Sequence, residues 1–333
     1  MMKPNKTYKK LVAATILGLS STYALAADQV TYQMDWLPGG DKAPVYVGVN
    51  KGFFAEQDIE VKIASGRGST DAITKVATGN AELGQADITA LLAAKARQDV
   101  PVTAVMSIFS DAPYATFVKK DGSIKTIADL KGKKVVTSPF TSSNAFFPIV
   151  LELNEVDAAD VTVVKADPGA LAPMLINDSA DAVTSWVTDS QKYQSQAKKA
   201  GVELTVLPWH DAGMSIYSSS MIANNEWLEE NPELAERFIK AFKKSIEYVY
   251  ATPQESAEII NSAVPEVDIE VAKTTIESIH GLVYNDATTA YGLGSLNSKR
   301  LAETWAFTAK SQDIDVNALD PETVITRQFI GGE

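Results

Sequence analysis

Cysteine is absent from the 333-residue chain, and histidine is almost absent, with His210 and His280 the two that occur. Without cysteine the chain forms no disulfide, so burial alone must hold the fold together. It also lacks the residue that is acylated in a bacterial lipoprotein. The two histidines lie far apart in sequence and fit no metal-binding spacing. We therefore expect neither a metal site nor a cofactor.

Familiar catalytic motifs are lacking as well. The sequence has no G-x-S-x-G segment, which would be the usual anchor of a hydrolase triad. The glycine-rich segment at residues 66–69 has neither the Gly-Lys-Ser/Thr ending of a phosphate-binding loop nor the third glycine of a dinucleotide fingerprint. These glycines are better explained as a turn from a strand into a helix.

Basic charge is scarce relative to acidic charge. The chain has 30 Lys and Arg against 42 Asp and Glu, a formal net charge of −12 at pH 7. Four of the lysines lie within the first ten residues, so the rest of the chain is more acidic still. A negative surface repels nucleic acid and anionic membranes, and we expect neither as a partner.

Long apolar runs are missing except near the N-terminus. There, four lysines precede an apolar run from Leu11 to about Leu25, which ends in the pattern Ala24-Leu25-Ala26. This arrangement predicts a secretory signal peptide over residues 1–27, cut near Ala26 or Ala27. The alternative is a membrane anchor, but the run is short and rich in Ser, Thr and Gly. We expect a soluble protein in the periplasm.

The rest of the chain alternates short β-rich runs with amphipathic segments, and its length suggests two domains. The alternation predicts an α/β protein with mixed sheets flanked by helices. One series of strands precedes Pro113 and a second follows it; after His210 comes one more strand, at residues 215–222. The clearest helix, at residues 232–250, has a single apolar stripe. The other predicted strands are 29–34, 59–64, 83–86, 102–108, 114–118, 134–137, 161–164, 182–186 and 204–207.

The turn at residues 66–69 is a first candidate for ligand binding. Ser69 is expected to cap the helix that follows it. Exposed amides at a helix start, from Gly66 onward and with Arg67 beside them, can hold a polar or anionic group. A capped turn with Arg67 in solvent explains the same residues, so both interpretations stay open.

Aromatic and polar residues coincide at several other predicted strand ends. Ligands of open α/β sheets bind beyond the carboxyl ends of strands. Aromatic rings there can stack on a flat ligand, and carboxylates can accept hydrogen bonds from its N–H groups. Core packing is the commoner role of any single aromatic, so the hypothesis depends on the cluster. Its members are Asp35, Trp36, Asp87, Ser110, Phe140, Thr141, Ser142, Asp167 and Trp186.

Seven short segments carry a resemblance to a known family. They are MDWLP at 34–38, APVYVG at 43–48, KGFF at 51–54, IEV at 59–61, GNAELG at 79–84, IADLKGK at 127–133 and ADAV at 180–183. Together they resemble the periplasmic substrate-binding proteins of ABC importers, above all the branch for thiamine pyrimidine precursors. Relatives of that branch bind taurine, alkanesulfonates and nitrate. We add Tyr46 and Asp189 to the candidate ligand-binding residues, although WVTD at 186–189 departs from the aromatic-Glu-Pro of many relatives.

The resemblance implies a type II periplasmic binding protein, whose two lobes are each a mixed sheet flanked by helices. A two-segment hinge would cross between the lobes near residues 110–113 and return near residues 209–215. Lobe 1 would then be discontinuous, with residues 28–111 and 214–333, and lobe 2 would comprise residues 112–213. The ligand would lie between the lobes, which close around it.

The leading expectation is therefore a monomeric, non-catalytic protein that captures a planar nitrogen heterocycle of the pyrimidine type and delivers it to an ABC permease. The alternative ligand is a small anion, such as a sulfonate, nitrate or an aromatic carboxylate, held at residues 66–69. A remote alternative is an enzyme like the pyrimidine synthases of the same superfamily, whose pyridoxal cofactor and cysteine-rich metal motif do not suit a cysteine-free exported chain. An adaptor or signalling ectodomain without a small-molecule ligand is a further alternative.

Overall fold

The structure, a computed structural model, describes residue 1, residues 27–209 and residues 216–330. The predicted signal peptide therefore lies almost wholly outside the described residues, as does most of the predicted return crossing at 209–215. Among the described helices, none has the length and apolarity needed to cross a membrane. The strands are β1 Asp28–Gln33, β2 Ile59–Ala64, β3 Leu83–Asp87, β4 Val102–Ser107, β5 Tyr114–Lys119, β6 Lys134–Thr137, β7 Thr162–Lys165, β8 Ala182–Trp186, β9 Leu204–Pro208 and β10 Ser219–Asn224.

Helices occupy most of the remaining described chain, with short 3₁₀ turns between them. The α-helices are α1 Ala43–Asn50, α2 Ser69–Ala77, α3 Ile88–Arg97, α4 Ser143–Leu153, α5 Leu171–Ile176, α6 Ser190–Lys199, α7 Asn225–Glu230, α8 Pro232–Ala251, α9 Pro253–Ala263, α10 Ile269–Ser278, α11 His280–Val283, α12 Asp286–Tyr291 and α13 Ser298–Ser311.

Two five-stranded mixed sheets form the framework of the molecule. The first has the strand order β2-β1-β3-β10-β4, and the second has the order β7-β6-β8-β5-β9. In each sheet four strands run in the same direction, and one antiparallel strand, β10 or β5, lies second from an edge. This confirms the predicted fold class of two mixed α/β sheets flanked by helices.

The chain passes from one sheet to the other and back. It leaves the first sheet after β4, builds the whole second sheet from β5 to β9, and returns as β10, which lies between β3 and β4. The residue boundaries of the two lobes stay a prediction. The return strand is shorter than predicted, because pairing with β3 and β4 begins only at Ser219 and Ser220.

Buried central strands and amphipathic helices explain why the sequence forms these layers. Every residue of β3 and of β8 is buried, as expected for central strands covered on both faces. Helix α8 lays its apolar stripe on the first sheet, where the rings of Phe238 and Phe242 lie 5.8 and 5.5 Å from the ring of Tyr32 in β1. The predicted stripe of this helix is confirmed.

The carboxyl ends of the parallel strands lie where the two sheets approach each other. Asp35 and Trp36 follow β1, and Asp87 is the last residue of β3. From the second sheet, Ser138 follows β6 and Trp186 ends β8. Hydrogen bonds cross from one set to the other, so the strand ends of both sheets meet in one place.

Candidate functional site: a cleft between the two sheets

A small cavity of about 20 Å³ lies where the strand ends of the two sheets meet. We call it the inner cavity. Five of the predicted site residues line it, namely Asp35, Trp36, Thr141, Trp186 and Asp189. The other lining residues are Asp41, Lys42, Gly68, Ser69, Ser185 and Thr188.

A buried ion cluster forms one wall of the inner cavity. The Lys42 ammonium lies 2.6 Å from an Asp35 carboxylate oxygen and 3.0 Å from one of Asp41. Lys42 is only 2% exposed, and Asp35 is 3% exposed. Burial by itself would lower the pKa of Lys42, but the carboxylates of Asp35 and Asp41 together raise it above its ordinary value. Burial raises the pKa of Asp35, and the charge of Lys42 opposes that rise.

Lys42 lines the inner cavity but was missed by the sequence analysis, which expected Arg67 as the cation near the ligand. A lysine in a polar loop is usually solvated, and nothing in its own residue type marks it as buried. The available signal was its position, directly before the apolar helix α1 and next to Asp41. Ser185 and Thr188 were also not anticipated.

Two tryptophans face the inner cavity from opposite sheets. The indole N–H of Trp36 donates to Asp189 across the cleft, at 3.2 Å. Trp186 is 8% exposed, and its indole N–H is buried without an acceptor among the described residues. A buried N–H without a partner is costly, so an acceptor on a bound molecule would stabilise it.

Asp189 connects Trp36 of the first half with Ser185 of the second. Its carboxylate accepts hydrogen bonds from the Ser185 hydroxyl and from Trp36. Burial raises the pKa of Asp189, and the Ser185 hydrogen bond and the charge of Lys192 oppose that rise. With Asp35 and Asp41, it gives this cavity three carboxylates against the single ammonium of Lys42 within the lining.

Asp87 lies behind the inner cavity instead of lining it. Its carboxylate accepts hydrogen bonds from the hydroxyls of Tyr114, Ser142 and Ser218, and from the backbone and hydroxyl of Thr89. Tyr114 and Ser142 belong to the part of the chain that carries the second sheet, so Asp87 connects the two halves. Burial raises the pKa of Asp87, and these hydroxyl hydrogen bonds oppose the rise.

The turn at residues 66–69 meets the backbone of the other half directly. The Thr70 N–H donates to the Phe140 carbonyl at 3.2 Å, and the Ser138 hydroxyl donates to the Arg67 carbonyl at 2.8 Å. Gly68, with φ +144°, is the residue before the helix, and a Cβ there would overlap the Phe140 carbonyl. Ser69 was expected to be the cap; instead it begins α2, and its hydroxyl accepts from the Asp87 N–H.

The remaining predicted residues lie around the inner cavity. Arg67, whose side chain is 52% exposed, pairs with Asp167 and covers the Phe140 ring at 5.3 Å. The Gly66 N–H donates to the Trp36 carbonyl at 3.2 Å, which fixes the loop that carries this tryptophan.

Ser110 and Tyr46 lie further away. The Ser110 hydroxyl donates to the Asn285 side chain at 2.9 Å and faces a small separate cavity. Tyr46 is half-buried on α1 and packs against the apolar residues Ala257, Ile260 and Ala272.

Solved structures with this architecture include solute-binding proteins and the desulfurization enzyme DSZB, which superposes with a TM-score of 0.58 at 15% identity. The alkanesulfonate-binding protein SsuA from Xanthomonas axonopodis pv. citri, bound to MOPS, superposes with a TM-score of 0.72 at 13% identity, over 91% of this chain and 99% of its own. A protein from Bordetella bronchiseptica RB50 superposes with a TM-score of 0.73 at 21% identity, over 90% and 95%. The chain therefore has the periplasmic binding protein fold.

The family follows from the sequence match. Residues 40–256 match the model of the NMT1/THI5-like family, and the chain belongs to this family. It is 24% identical to the riboflavin-binding protein RibY of Chloroflexus aurantiacus, over 91% of this chain and 86% of RibY. It is also 24% identical to the formylaminopyrimidine-binding protein of Halalkalibacterium halodurans, over 78% and 79%.

The family also contains enzymes. The chain is 27% identical to the 4-amino-5-hydroxymethyl-2-methylpyrimidine phosphate synthase THI11 of Saccharomyces cerevisiae, over 69% of each chain. Both binding proteins and synthases are thus similar to this chain, and the chemistry of its own cleft must decide between binding and catalysis.

Proposed function

We propose that this chain is the periplasmic solute-binding component of an ABC importer, and that it holds a planar nitrogen heterocycle of the pyrimidine type between its two lobes. The observation that carries the proposal is the lining of the inner cavity, in which Trp36 and Trp186 supply flat apolar faces beside three aspartates. The two halves would have to separate to admit a ring, because the inner cavity as it stands has room for about one water molecule. As a monomer, the protein would deliver its ligand to the transmembrane subunits of the importer.

The charges of the inner cavity favour a ligand with N–H groups. Asp35, Asp41 and Asp189 offer acceptor oxygens, and Lys42 offsets only part of their charge. Carboxylates accept hydrogen bonds from ring and exocyclic N–H groups and repel anions. The N–H of Trp186 has no acceptor among the described residues, so an acceptor on the ligand, such as a ring nitrogen or a carbonyl oxygen, would stabilise it. A nitrogen heterocycle provides both kinds of group.

The anion alternative has less support in this conformation. The start of α2 already faces the Phe140 carbonyl, which accepts from the Thr70 N–H. Arg67 points away from the inner cavity and pairs with Asp167 on a solvent-exposed edge. An anion at residues 66–69 would have to displace a carbonyl oxygen and would gain little from an Arg67 that is already paired.

A binding role also fits the cleft better than catalysis does. The chain has no cysteine for the metal motif that the resemblance assigns to the synthases. Asp189 accepts a hydrogen bond from Trp36 across the cleft and another from Ser185 on its own side. Hydrogen bonds of this kind suit a protein that recognises a ligand and closes its two halves around it.

Calorimetric titration of two variants tests the proposal. Base–aromatic stacking is worth about 1–3 kcal/mol, so Trp36→Ala should weaken binding of a pyrimidine by roughly one to two decades at ~1.4 kcal/mol per decade. Arg67→Ala should change that affinity little, because Arg67 does not line the inner cavity. Both variants are titrated with pyrimidines and with small alkanesulfonates.

The opposite pattern would favour the anion. If Arg67→Ala abolishes binding of a sulfonate that the unaltered protein holds tightly, while Trp36→Ala leaves that binding intact, the heterocycle proposal is wrong. Native mass spectrometry of protein purified without denaturation supplies an independent identification, since a retained ligand is detected by its mass.

A further inference from the structure

Two helices from different halves of the molecule touch beside the cleft. Helix α6 belongs to the half built on the second sheet, and α10 follows the return strand β10. Two surface grooves flank their contact: the near groove shares Trp36 and Asp189 with the inner cavity, and the far groove runs along β9. Ser195 of α6 and Val271 of α10 line both grooves, so they mark the line of contact. A movement that separates the two halves must part the helices along this line.

Helix α6 carries basic charge only. Its charged residues are Lys192, Lys198 and Lys199, and no acid occurs within the helix. Lys192 and Lys199 line the near groove, and Lys198 lines the far groove. None of these lysines has an ion-pair partner among the described residues. The second half therefore presents three positive charges along the contact.

The facing segment of the first half is acidic. Glu266 and Asp268 line the near groove, Glu270 lines the far groove, and all three are exposed. The one basic residue of α10, Lys273, pairs with Glu277 of the same helix at 3.4 Å. Opposite charges therefore face each other on both sides of the contact between α6 and α10.

Distance and solvent set the strength of this attraction. No ion pair joins the described parts of the two helices, so the attraction acts through water. Each exposed pair of opposite charges contributes little, but three positive against three negative charges all act in the same direction. The Debye length is about 10 Å at 0.1 M salt and about 3 Å at 1 M. Salt should therefore remove this attraction and leave the buried contacts between the halves largely unaffected.

Helix dipoles offer a purely local explanation of some of these charges. Lys198 and Lys199 lie in the last turn of α6 and Glu270 in the first turn of α10, where each charge stabilises its own helix. Lys192 does not fit this explanation, because it lies in the first turn of α6, where the dipole disfavours a positive charge. Its charge acts instead on groups beside the cleft, Asp189 among them. The pattern follows the contact between the halves better than it follows the dipoles.

We propose that α6 and α10 form an electrostatic latch, in which the three lysines of α6 attract Glu266, Asp268 and Glu270 and so favour the closed arrangement of the two halves. The latch acts outside the inner cavity, so it goes beyond the proposed function and does not depend on which ligand is bound. One consequence is that salt weakens closure even around an uncharged ligand.

Energy transfer between two dyes measures closure directly. Because the chain has no cysteine, Ala55→Cys and Ala128→Cys, at exposed positions in different halves, provide the only thiols for labelling. Single-molecule measurements then give the ratio of closed to open molecules without added ligand. We expect this ratio to fall about three- to tenfold between about 0.05 M and 1 M NaCl, the size expected for two or three exposed pairs of opposite charge.

Charge reversal on each helix identifies the partners. In 0.05 M NaCl, Lys198→Glu/Lys199→Glu should lower the closed-to-open ratio by about tenfold, because attraction becomes repulsion. Glu266→Lys/Glu270→Lys should do the same. The variant with all four changes should recover the ratio, since the attraction returns with its signs exchanged. Asp268 is left unchanged because it caps α10.

A control separates the latch from net charge. Lys125→Glu/Lys131→Glu makes the same charge change on the same half, at exposed lysines that line neither groove, and should leave the ratio within about twofold. Circular dichroism checks that each variant is folded.

Three results would refute the latch. An equal loss in the control would make net charge the cause. Failure of the variant with all four changes to recover closure would make the stability of the separate helices the cause. Closure of the unaltered protein that does not respond to salt would exclude the attraction without any variant. None of these results concerns the ligand, so the heterocycle proposal would stand in each case.

Discussion

Lys42 determines the electrostatics of the inner cavity at the scale of single residues. Lys42 pairs with both Asp35 and Asp41, so removing its ammonium would leave two buried carboxylates without a cation. Leaving a buried charge uncompensated is far more costly than losing a surface ion pair. Lys42 therefore allows the carboxylates of Asp35 and Asp41 to be buried after β1.

Replacing Lys42 should destabilise the protein strongly. We expect Lys42→Met to lower the free energy of unfolding by about 3–5 kcal/mol, since it removes one partner of a buried ion cluster and leaves the carboxylates behind. Lys131→Met is the control: the Lys131 side chain is 69% exposed and pairs with Asp160 at 3.1 Å, so it should cost under about 1 kcal/mol. Urea titration at pH 7 measures both, and equal losses would contradict the prediction.

Individual site residues were predictable where the strand pattern was clear. Asp35, Trp36 and Trp186 directly follow or end strands that the alternation marks well, and the end of such a strand is where α/β cavities form. Lys42 and Ser185 were not predictable from residue type. Their roles depend on which groups come together after folding, and no local pattern encodes the approach of two sheets.

At the scale of elements, local pattern and observed structure agree closely. The predicted strands at 59–64, 134–137 and 182–186 match β2, β6 and β8. The apolar spacing between residues 44 and 54 predicts a helix over that whole range, but α1 ends at Asn50, because Gly52 takes a positive φ of 74° and reverses the chain. Apolar spacing continued to Phe54, so hydrophobicity alone could not mark that end.

The stripe of α8 gives a test at the element scale. Phe238 is fully buried, with its ring 4.8 Å from that of Phe54 and 5.8 Å from that of Tyr32. Phe238→Ala should therefore lower the free energy of unfolding by about 3–5 kcal/mol, through lost burial and a residual cavity. Lys240→Ala, two residues along on the exposed face of α8, should change it by no more than about 0.5 kcal/mol. Thermal and chemical denaturation compare the two variants.

At the scale of the whole molecule, the two halves touch through backbone at the start of α2. Gly68 has no side chain to separate it from the Phe140 carbonyl, and the Thr70 N–H donates to the same oxygen. Side-chain contacts between Trp36 and Asp189, and between Ser142 and Asp87, lie on either side of this point. Closure of the cleft therefore depends on a glycine at position 68, because any side chain there would overlap the Phe140 carbonyl.

Gly68→Ala should hold the cleft open. The added Cβ would overlap the Phe140 carbonyl, so we expect a larger radius of gyration in small-angle scattering and weaker ligand binding. Gly79→Ala is the matched control: Gly79 also has a positive φ, 70°, but a Cβ there meets nothing within 4 Å. It tests a substitution at positive φ without the contact across the cleft, although the φ of 144° and ψ of 165° at Gly68 strain an alanine more. Compact scattering and unchanged affinity for Gly68→Ala would refute this role.

The position of β10 has a consequence for how the chain is made. Among the described strands of the first sheet, β4 pairs with β10 alone, and β10 also covers the edge of β3. A growing chain that has reached Ser107 therefore holds two strand edges that stay unpaired until residue 224 has been synthesised. Unpaired edges attract other chains, and pairing across so long a separation is slow. Roughly a third of the polypeptide must be added before the first sheet can close, so chaperone demand should be greatest during that interval.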